Sequence, residues 1–240
     1  MAKAPKPGRV KTRLSPPLAP EQAMQMGAAF LRDVTDNLAL AGRRAPIDAF
    51  VAYAPEGDAH LFEGHLAPGT QLLLADGNVA APAGVAGLGR CLLQTIEVLL
   101  ARGYGSACVL NADSPTLPTA VLVLLAETLA APGDRAVLGP AEDGGYYALG
   151  MKTGHAGLFA DIAWSTGAVA GQTRARAAAL GVAMPELSVW YDVDDRAALY
   201  RLLAEISENS AGDPRPYPAP ATAACAQRIG LSDVLARLAA

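Results

Sequence analysis

The sequence has few of the residues that build disulfide frameworks and zinc sites. Its 240 residues include three cysteines and three histidines. The cysteines Cys91, Cys108 and Cys225 are odd in number, far apart and without a Cys-x-x-Cys pair, which argues against both kinds of framework. The histidines show no metal-ligand spacing either, so no histidine chemistry is proposed. We therefore expect a cytoplasmic protein in a reducing compartment.

Charge and long apolar runs are also scarce. Charged residues form 18% of the chain, below the roughly 25% of an average globular protein. The net charge of −4 offers no general attraction to polyanions, so a nucleic-acid partner is not expected. No apolar stretch approaches the ~18–20 residues of a membrane span. With 52% hydrophobic residues, however, the chain can bury a sizeable core.

Short β-rich runs alternate with helical patterns along the chain. The apolar spacing predicts helices at 21–41, 58–65, 88–102, 119–130, 166–180 and 195–207. Strands are predicted at 47–53, 71–75, 106–111, 135–138, 146–151 and 187–193. This order predicts an α/β doubly wound sandwich with a mainly parallel sheet. Residues 1–207 would form one domain, and 208–240 would hold a linker over 208–222 and a final helix over 224–239.

A basic cluster stands at the start of this acidic chain. Five cations fall within eleven residues, with Pro7 and Gly8 between them: Lys3, Lys6, Arg9, Lys11 and Arg13. Lysine and arginine side chains form charge-assisted hydrogen bonds that suit a nucleotide diphosphate. The segment is not a Walker loop, because Gly-Lys-Ser/Thr is absent. The alternative is a solvated basic arm, and charge alone does not separate the two.

Two predicted strands end in carboxylates. Asp113 follows the strand 106–111, and Asp192 lies at the end of 187–193. Carboxylates at the carboxyl ends of strands are suitable ligands for Mg²⁺ or Mn²⁺. With period-two alternation Asp192 and Asp194 point to the same side, so one or both would complete a metal site with Asp113. The alternative is that Asp113 caps a turn and that Asp194 caps the next helix.

The segment 138–147 places two carboxylates and two glycines between extended runs. Glu142 or Asp143 is a candidate base for an acceptor hydroxyl, although Asp-Gly is also a strong hairpin signal. We assign acceptor binding to four nearby or aromatic positions: Gly144, Gly145, Tyr146 and Trp164. Gly89 and Arg90 open a predicted helix whose amides suit a phosphate, although simple helix-start chemistry explains them equally well.

Taken in order, these segments resemble the DUF2064 family, glycosyltransferase-like proteins of the nucleotide-diphospho-sugar transferase superfamily. The similar segments lie between Lys3 and about Leu203: 3–14, 87–90, 111–118, 138–147, 164–166 and 192–195. The resemblance implies a GT-A-like three-layer α/β/α sandwich and nucleotide binding on the N-terminal half. It also implies a divalent metal, Mg²⁺ or Mn²⁺, at Asp113.

The chain departs from the family pattern in its first residues. Family members usually have a β-strand before Lys-Ala-Pro, whereas only Met1 and Ala2 precede it here. We therefore expect the first strand of the sheet to be missing and the nucleotide site to be weakened. The family's Gly-Ser-Asp-Ser-Pro is Asn-Ala-Asp-Ser-Pro here, which keeps the aspartate at 113.

The leading prediction is a metal-dependent glycosyltransferase that takes a nucleotide-diphospho-sugar donor and a small-molecule acceptor. Lys11 and Arg13, with the metal, would neutralise the departing nucleoside diphosphate. The alternative is a nucleotidyltransferase that resembles phospholactate guanylyltransferases and releases pyrophosphate as it acts on a phosphate-bearing molecule. A third hypothesis is a ligand-binding protein without catalysis. The transferase prediction requires Lys11 and Arg13 to meet Asp113 and Asp192 at one edge of the sheet.

Overall fold

The computed structural model describes residues 1–208 and 214–231 as a mixed α/β fold. The α-helices are α1 Pro20–Ala41, α2 Leu88–Ala101, α3 Thr119–Ala130, α4 Val169–Leu180, α5 Arg196–Glu208 and α6 Pro220–Arg228. The strands are β1 Phe50–Tyr53, β2 Gln71–Leu74, β3 Ala107–Leu110, β4 Ala136–Pro140 and β5 Tyr146–Met151. Three 3₁₀ turns span Thr12–Leu14, Glu56–Phe62 and Ala156–Phe159.

The strands form two small sheets instead of the mainly parallel sheet that was predicted. β1 and β2 pair in parallel, whereas β5 lies between β3 and β4 and is antiparallel to both. The short connection between β4 and β5 is the cause, because a few residues can close a hairpin but not a parallel crossover. β3 and β4, which are joined through α3, keep the parallel relationship expected of a crossover.

Two predicted elements have a different form. The segment 187–193 is not a regular strand: it runs beside β4 and pairs only at isolated parallel bridges, Leu138 with Glu186 and Ala141 with Trp190. Between those bridges the carbonyl of Ser188 accepts a hydrogen bond of 2.9 Å from the Tyr147 hydroxyl. The predicted helix 58–65 is the 3₁₀ turn Glu56–Phe62.

Helices cover both faces of the three-stranded sheet. On one face, α2 and α4 pack against β3 and β5, with Leu93, Ile96 and Leu149 fully buried. On the other, α3 packs through Leu122 and Leu129 against β4 and β5, beside the end of α1. Helices therefore lie on both sides of this sheet, and β3 and β4 end at the same edge of it, where β5 begins. No helix in the ranges 1–208 and 214–231 has the length and apolarity needed to cross a bilayer.

The first two residues lie between the two sheets. The Ala2 amide donates to the carbonyl of Ala52 in β1, and the Met1 α-amino group donates to the carbonyl of Leu110 in β3, both at 2.9 Å. Burial lowers the pKa of that amino group. A cavity of about 170 Å³ lies alongside, lined mainly by apolar residues of β1, β3, α1 and α3. Met1 and Ala2 thus link β1 and β3 through backbone hydrogen bonds beside this cavity.

The C-terminal part begins its helix earlier than predicted. α6 starts at Pro220, inside the segment 208–222 that was expected to be a linker, and it packs on α1. The amides of Ala221 and Thr222 donate to the buried carboxylate of Asp33, at 2.9 and 2.7 Å. The predicted helix 224–239 therefore corresponds to α6 only in part, and residues 209–213 and 232–240 lie outside the described residues. The division into domains stays a prediction.

Candidate functional site

A pocket of about 840 Å³ opens where the strands end. Ala54 after β1, Ala75 after β2 and Asn111 to Asp113 after β3 line its floor. Residues 9–13 form one wall, and residues 164–167 with the β4–β5 turn form the other. This is the edge at which ligands bind in open α/β sheets, because the loops that follow the strands converge there.

Lys11 lies at the centre of the charged wall. Its Nζ is 2.6 Å from Asp113 Oδ1, 2.9 Å from Asp194 Oδ1 and 2.9 Å from the carbonyl oxygen of Val193. The side chain is 5% exposed and its ammonium group lies 5.5 Å from the centre of the Phe30 ring. Residues separated by about 180 positions in sequence therefore meet at one buried cation, as the N-terminal cluster and the strand-end carboxylates predicted.

The path of the N-terminal segment depends on close packing against α1. A Cβ at Gly27 would lie 2.4 Å from Cγ1 of Val10, so only glycine lets the segment press onto the helix there. Lys11 has a left-handed backbone, with φ of 51°, immediately before the 3₁₀ turn Thr12–Leu14. Leu14 is fully buried and fixes the end of that turn. The segment is thus an anchored wall, in contrast to the solvated arm of the alternative interpretation.

The other predicted phosphate ligands differ in how close they come to the pocket. Lys3 lines it, and so does Arg13, whose side chain is 74% exposed and whose Nη1 is 3.9 Å from Asp194 Oδ2. Lys6 instead forms a 2.6 Å ion pair with Asp58. Among the described residues, Pro7 and Gly8 are not part of the pocket lining. Of the five cations in the N-terminal cluster, those at 3, 9, 11 and 13 therefore line the pocket and Lys6 does not.

Asp192 is a half-buried carboxyl behind the pocket wall. Burial, which is the largest cause, and the neighbouring negative charges of Asp143, Asp194 and Asp113 together raise its pKa to about 6. Four carboxyl groups are thus close enough to influence one another. A cation bound among these groups would offset their excess of negative charge.

The donor set fits a divalent cation only with help from a ligand. In the part of the chain that the structure describes, no three Asp, Glu, His or Cys side chains converge on one metal position. Two carboxylate oxygens, from Asp113 and Asp194, do surround the ammonium of Lys11, which stands where a cation is wanted. Mg²⁺ and Mn²⁺ bind to one or two carboxylates and complete their shell with phosphate and water. The chemistry therefore fits, and of the two aspartates predicted beside Asp113, Asp192 and Asp194, it is Asp194 that shares the Lys11 ammonium with it.

The β4–β5 turn separates the two candidate bases. Asp143 lines the pocket, and its Oδ1 accepts a hydrogen bond of 2.7 Å from the amide of Gly145. Glu142 points elsewhere: its Oε2 accepts from Arg201 at 2.7 Å, and that guanidinium stacks 3.8 Å from the ring centre of Tyr191. Of the pair, the structure brings Asp143 to the pocket. The turn is thus both the hairpin and the carrier of a pocket carboxylate.

The predicted acceptor-binding residues form the opposite wall. Gly145, Tyr146 and Trp164 line the pocket, and the rings of Tyr146 and Trp164 meet edge to face with centres 6.5 Å apart. Gly144 has φ of +85°, and a Cβ there would lie 2.2 Å from the carbonyl oxygen of Gly167. Gly144 therefore allows the turn to pack against residues 165–167, which are also part of this wall.

Gly89 and Arg90 support the pocket from behind. A Cβ at Gly89 would lie 3.1 Å from Cζ2 of Trp164, so this glycine makes room for the indole ring. Arg90 donates from Nε to the carbonyl of Gly77 at 2.9 Å and from Nη2 to that of Val79 at 2.5 Å. Its guanidinium ties down the loop after β2. Neither Gly89 nor Arg90 is among the described residues that line the pocket.

Sequence reasoning left two roles open for Asp194, a partner of Asp113 in a metal site or the cap of the next helix. The predicted helix cap at Asp194 is wrong, because the cap of α5 is Asp195, whose Oδ1 accepts from the Ala198 amide at 2.8 Å. Asp194 is thereby left for Lys11. The signal was available in the pair of adjacent acids, since one helix N-terminus needs only one capping carboxylate. Gly27, alone inside a long helix, was a second signal of a close approach.

Comparisons with known proteins support the fold and the family pattern. The profile of the family described as "Uncharacterized protein conserved in bacteria (DUF2064)" matches residues 37–166. A crystal structure from Desulfovibrio desulfuricans G20, provisionally described as a nucleotide-diphospho-sugar transferase, superposes with a TM-score of 0.79. It is 24% identical, and the match covers 99% of this chain and 94% of that one. No curated protein sequence matches the chain. The fold is therefore shared with that protein, while the predicted three-layer GT-A sandwich stays a prediction.

Proposed function

Because the chain belongs to the DUF2064 family, we propose that it is a transferase that moves a sugar from a nucleotide-diphospho-sugar donor to a small-molecule acceptor, with a divalent metal. One observation carries this proposal. Lys11, paired with Asp113 and Asp194, stands with Arg13 at the edge of a pocket of about 840 Å³. Cations and carboxylates that lie together at strand ends are the side chains that a diphosphate site needs. The fold that the chain shares with the D. desulfuricans protein agrees with this function.

The cations of the pocket stabilise the negative charge that develops on the departing diphosphate. When a glycosidic bond to a nucleoside diphosphate breaks, the departing oxygen gains charge, and preformed cations lower the energy of that state. Lys11 is buried, so its interaction is screened little by solvent, whereas Arg13 is exposed and contributes less. Lys3 and Arg9 also line the pocket and add positive charge there. These residues bind and orient the diphosphate.

Asp113 and Asp194 would hold the metal, which would supply further positive charge to the diphosphate. Asp143 is the candidate base, because it lines the pocket on the side of the aromatic wall. A carboxylate there accepts the proton of an acceptor hydroxyl as that oxygen attacks the sugar carbon. The Gly145 amide fixes the orientation of Asp143 through its 2.7 Å hydrogen bond. Tyr146 and Trp164 provide an apolar surface on which a sugar or acceptor ring can rest.

The test is a panel of nucleotide sugars and nucleoside triphosphates with Mn²⁺ or Mg²⁺, followed by analysis of the released products. We expect thermal stabilisation by at least one nucleotide sugar, and release of the nucleoside diphosphate from it. Pyrophosphate release from a triphosphate in the presence of a phosphate-bearing acceptor would instead identify a nucleotidyltransferase. The absence of metal-dependent stabilisation by any member of the panel would leave a ligand-binding protein without catalysis.

Substitution Asp113→Asn sharpens the same test. The change removes a charge that pairs with Lys11 at 2.6 Å but keeps the size of the side chain. We expect metal-dependent binding of the nucleotide to weaken at least tenfold, measured by calorimetry, while the circular dichroism spectrum stays that of the wild type. Unchanged binding would show that Asp113 is only a turn residue.

A further inference from the structure

Lys11 occupies the place between two carboxylates that a divalent cation needs. Its ammonium group has three N–H donors, and three oxygens lie within hydrogen-bond distance: Asp113 Oδ1, Asp194 Oδ1 and the Val193 carbonyl. The ammonium therefore makes two hydrogen bonds, to Asp194 and Val193, and an ion pair with Asp113. A metal ion that is to bind both carboxylates has to displace it.

Displacement requires a new partner for the ammonium. The Lys11 side chain is 5% exposed, and a buried charge that loses its partners is strongly destabilising. A divalent cation alone therefore has to overcome the loss of two ion pairs. A diphosphate alone meets carboxylates whose repulsion the cations of the pocket lining have to offset. When both arrive together, the cation takes the carboxylates and the diphosphate takes the ammonium, so every charge has a partner.

We propose that Lys11 exchanges partners as the pocket fills, from Asp113 and Asp194 in the ligand-free protein to the diphosphate once a divalent cation replaces it between the two carboxylates. The inference rests on the proposed function in one respect, namely that a diphosphate is the ligand. It makes the binding of cation and diphosphate mutually dependent, since each removes an obstacle to the other. The lysine side chain is suited to this because its four-carbon stem is flexible and its charge is a point charge without fixed orientation.

The competing interpretation is that Lys11 replaces the metal permanently. In that case the protein binds diphosphates without any divalent ion, and Lys11 keeps its present contacts with both aspartates. The two interpretations differ in the effect of a chelator and in the effect of removing the ammonium, and both effects can be measured without turnover.

The first measurement uses Mn²⁺ alone, followed by the loss of its free-ion electron paramagnetic resonance signal. We expect the wild type to bind Mn²⁺ weakly and Lys11→Met to bind it at least tenfold more tightly. In the variant, Asp113 and Asp194 have lost the ammonium group that occupies the position between them. Lys6→Met is the matched control: it breaks another lysine–aspartate pair of 2.6 Å, with Asp58, away from the pocket lining, and is expected to leave Mn²⁺ affinity unchanged. Equal Mn²⁺ affinity in the wild type and in Lys11→Met overturns the proposal, and so does a gain in Lys6→Met that matches that of Lys11→Met.

The second measurement uses radiolabelled inorganic pyrophosphate in equilibrium dialysis, and it needs only the wild type. We expect pyrophosphate to bind at least tenfold more tightly at a saturating concentration of free Mn²⁺ than in EDTA. Equal binding in EDTA overturns the exchange and favours the permanent ammonium. This result decides the matter even if circular dichroism shows that Lys11→Met does not fold.

The outcomes separate this inference from the proposed function. Coupled binding of Mn²⁺ and pyrophosphate, with no sugar transferred from any donor, supports the exchange and contradicts the transferase. Sugar transfer that proceeds at the same rate in EDTA supports the transferase and contradicts the exchange.

Discussion

Asp33 and Asp113 are carboxylates in two regions of the molecule that hold negative charge in different ways. Asp33 on α1 is fully buried, and its oxygens accept from the amides of Ala221 and Thr222 at the start of α6. Asp113 is partly exposed at the pocket and pairs with the ammonium of Lys11. Backbone donors are fixed by folding, whereas a side-chain cation can be exchanged. The comparison indicates that Asp33 serves stability and that Asp113 serves binding.

The largest effect that we expect separates Asp143 from its neighbour in sequence. Asp143→Asn removes the pocket carboxylate while its amide oxygen can still accept from Gly145. Loss of a general base typically costs 10²–10⁴-fold in rate, so we expect turnover of the active donor to fall at least about 100-fold. Glu142→Gln is the control, because Glu142 pairs with Arg201 away from the pocket lining. Similar losses in both variants would show that the turn, and not one carboxylate, sets the rate.

The next effect concerns the region in which charge serves stability. Asp33→Ala leaves two amides at the start of α6 without their acceptor, and each unsatisfied buried donor costs about 1–3 kcal/mol. We expect the free energy of unfolding to fall by about 2 kcal/mol in urea titrations. Pyrophosphate affinity of the folded protein is expected to stay within twofold of the wild type. If pyrophosphate binding is lost to the same degree as stability, the separation of the two regions is wrong.

The pH dependence of that stability has a defined sign. Burial raises the pKa of Asp33 above the ordinary aspartate value, even though the hydrogen bonds from α6 oppose the shift. The folded state therefore binds a proton more tightly than the unfolded state, and this contribution to stability falls as pH rises from the ordinary aspartate pKa through the raised one. Asp33→Asn does not titrate, so the wild type should lose stability relative to this variant across that window. A wild type that gains stability relative to Asp33→Asn as pH rises would contradict the raised pKa.

The sequence predicted local elements well where a segment's own pattern decides its structure. The bounds of α3 and β5 match the predicted 119–130 and 146–151, because a continuous apolar run and a glycine-flanked extended run need little outside help. The meeting of N-terminal cations with strand-end carboxylates was also predictable, since parallel crossovers bring strand ends to one edge. These parts of the fold and site follow from periodicity and topology alone.

The parts that could not be predicted depend on contacts between distant segments. The alternation argument for Asp192 assumed a regular strand at 187–193, and the chain there forms only isolated bridges. Which acid meets Lys11 is therefore decided by the path of the loop and by the use of Asp195 as a cap. Arg90 gives the same lesson, since residue type does not show whether a guanidinium will find a phosphate or the carbonyls of Gly77 and Val79.

The smallest effect that we expect is at Arg13, and it tests how far burial sets the strength of a pocket cation. Its side chain is 74% exposed and 3.9 Å from Asp194, so solvent and salt screen its charge, whereas Lys11 is 5% exposed. We expect Arg13→Ala to weaken pyrophosphate binding about threefold in low salt, and Arg13→Lys to retain most of the affinity. In roughly 0.5 M salt, where the screening length is only a few ångströms, the difference should disappear. A nucleoside without phosphates should bind equally well to the wild type and to Arg13→Ala. A large loss that does not depend on salt would show that Arg13 contacts the diphosphate directly and is buried by it, which would place the principal phosphate contact on the exposed side of the wall.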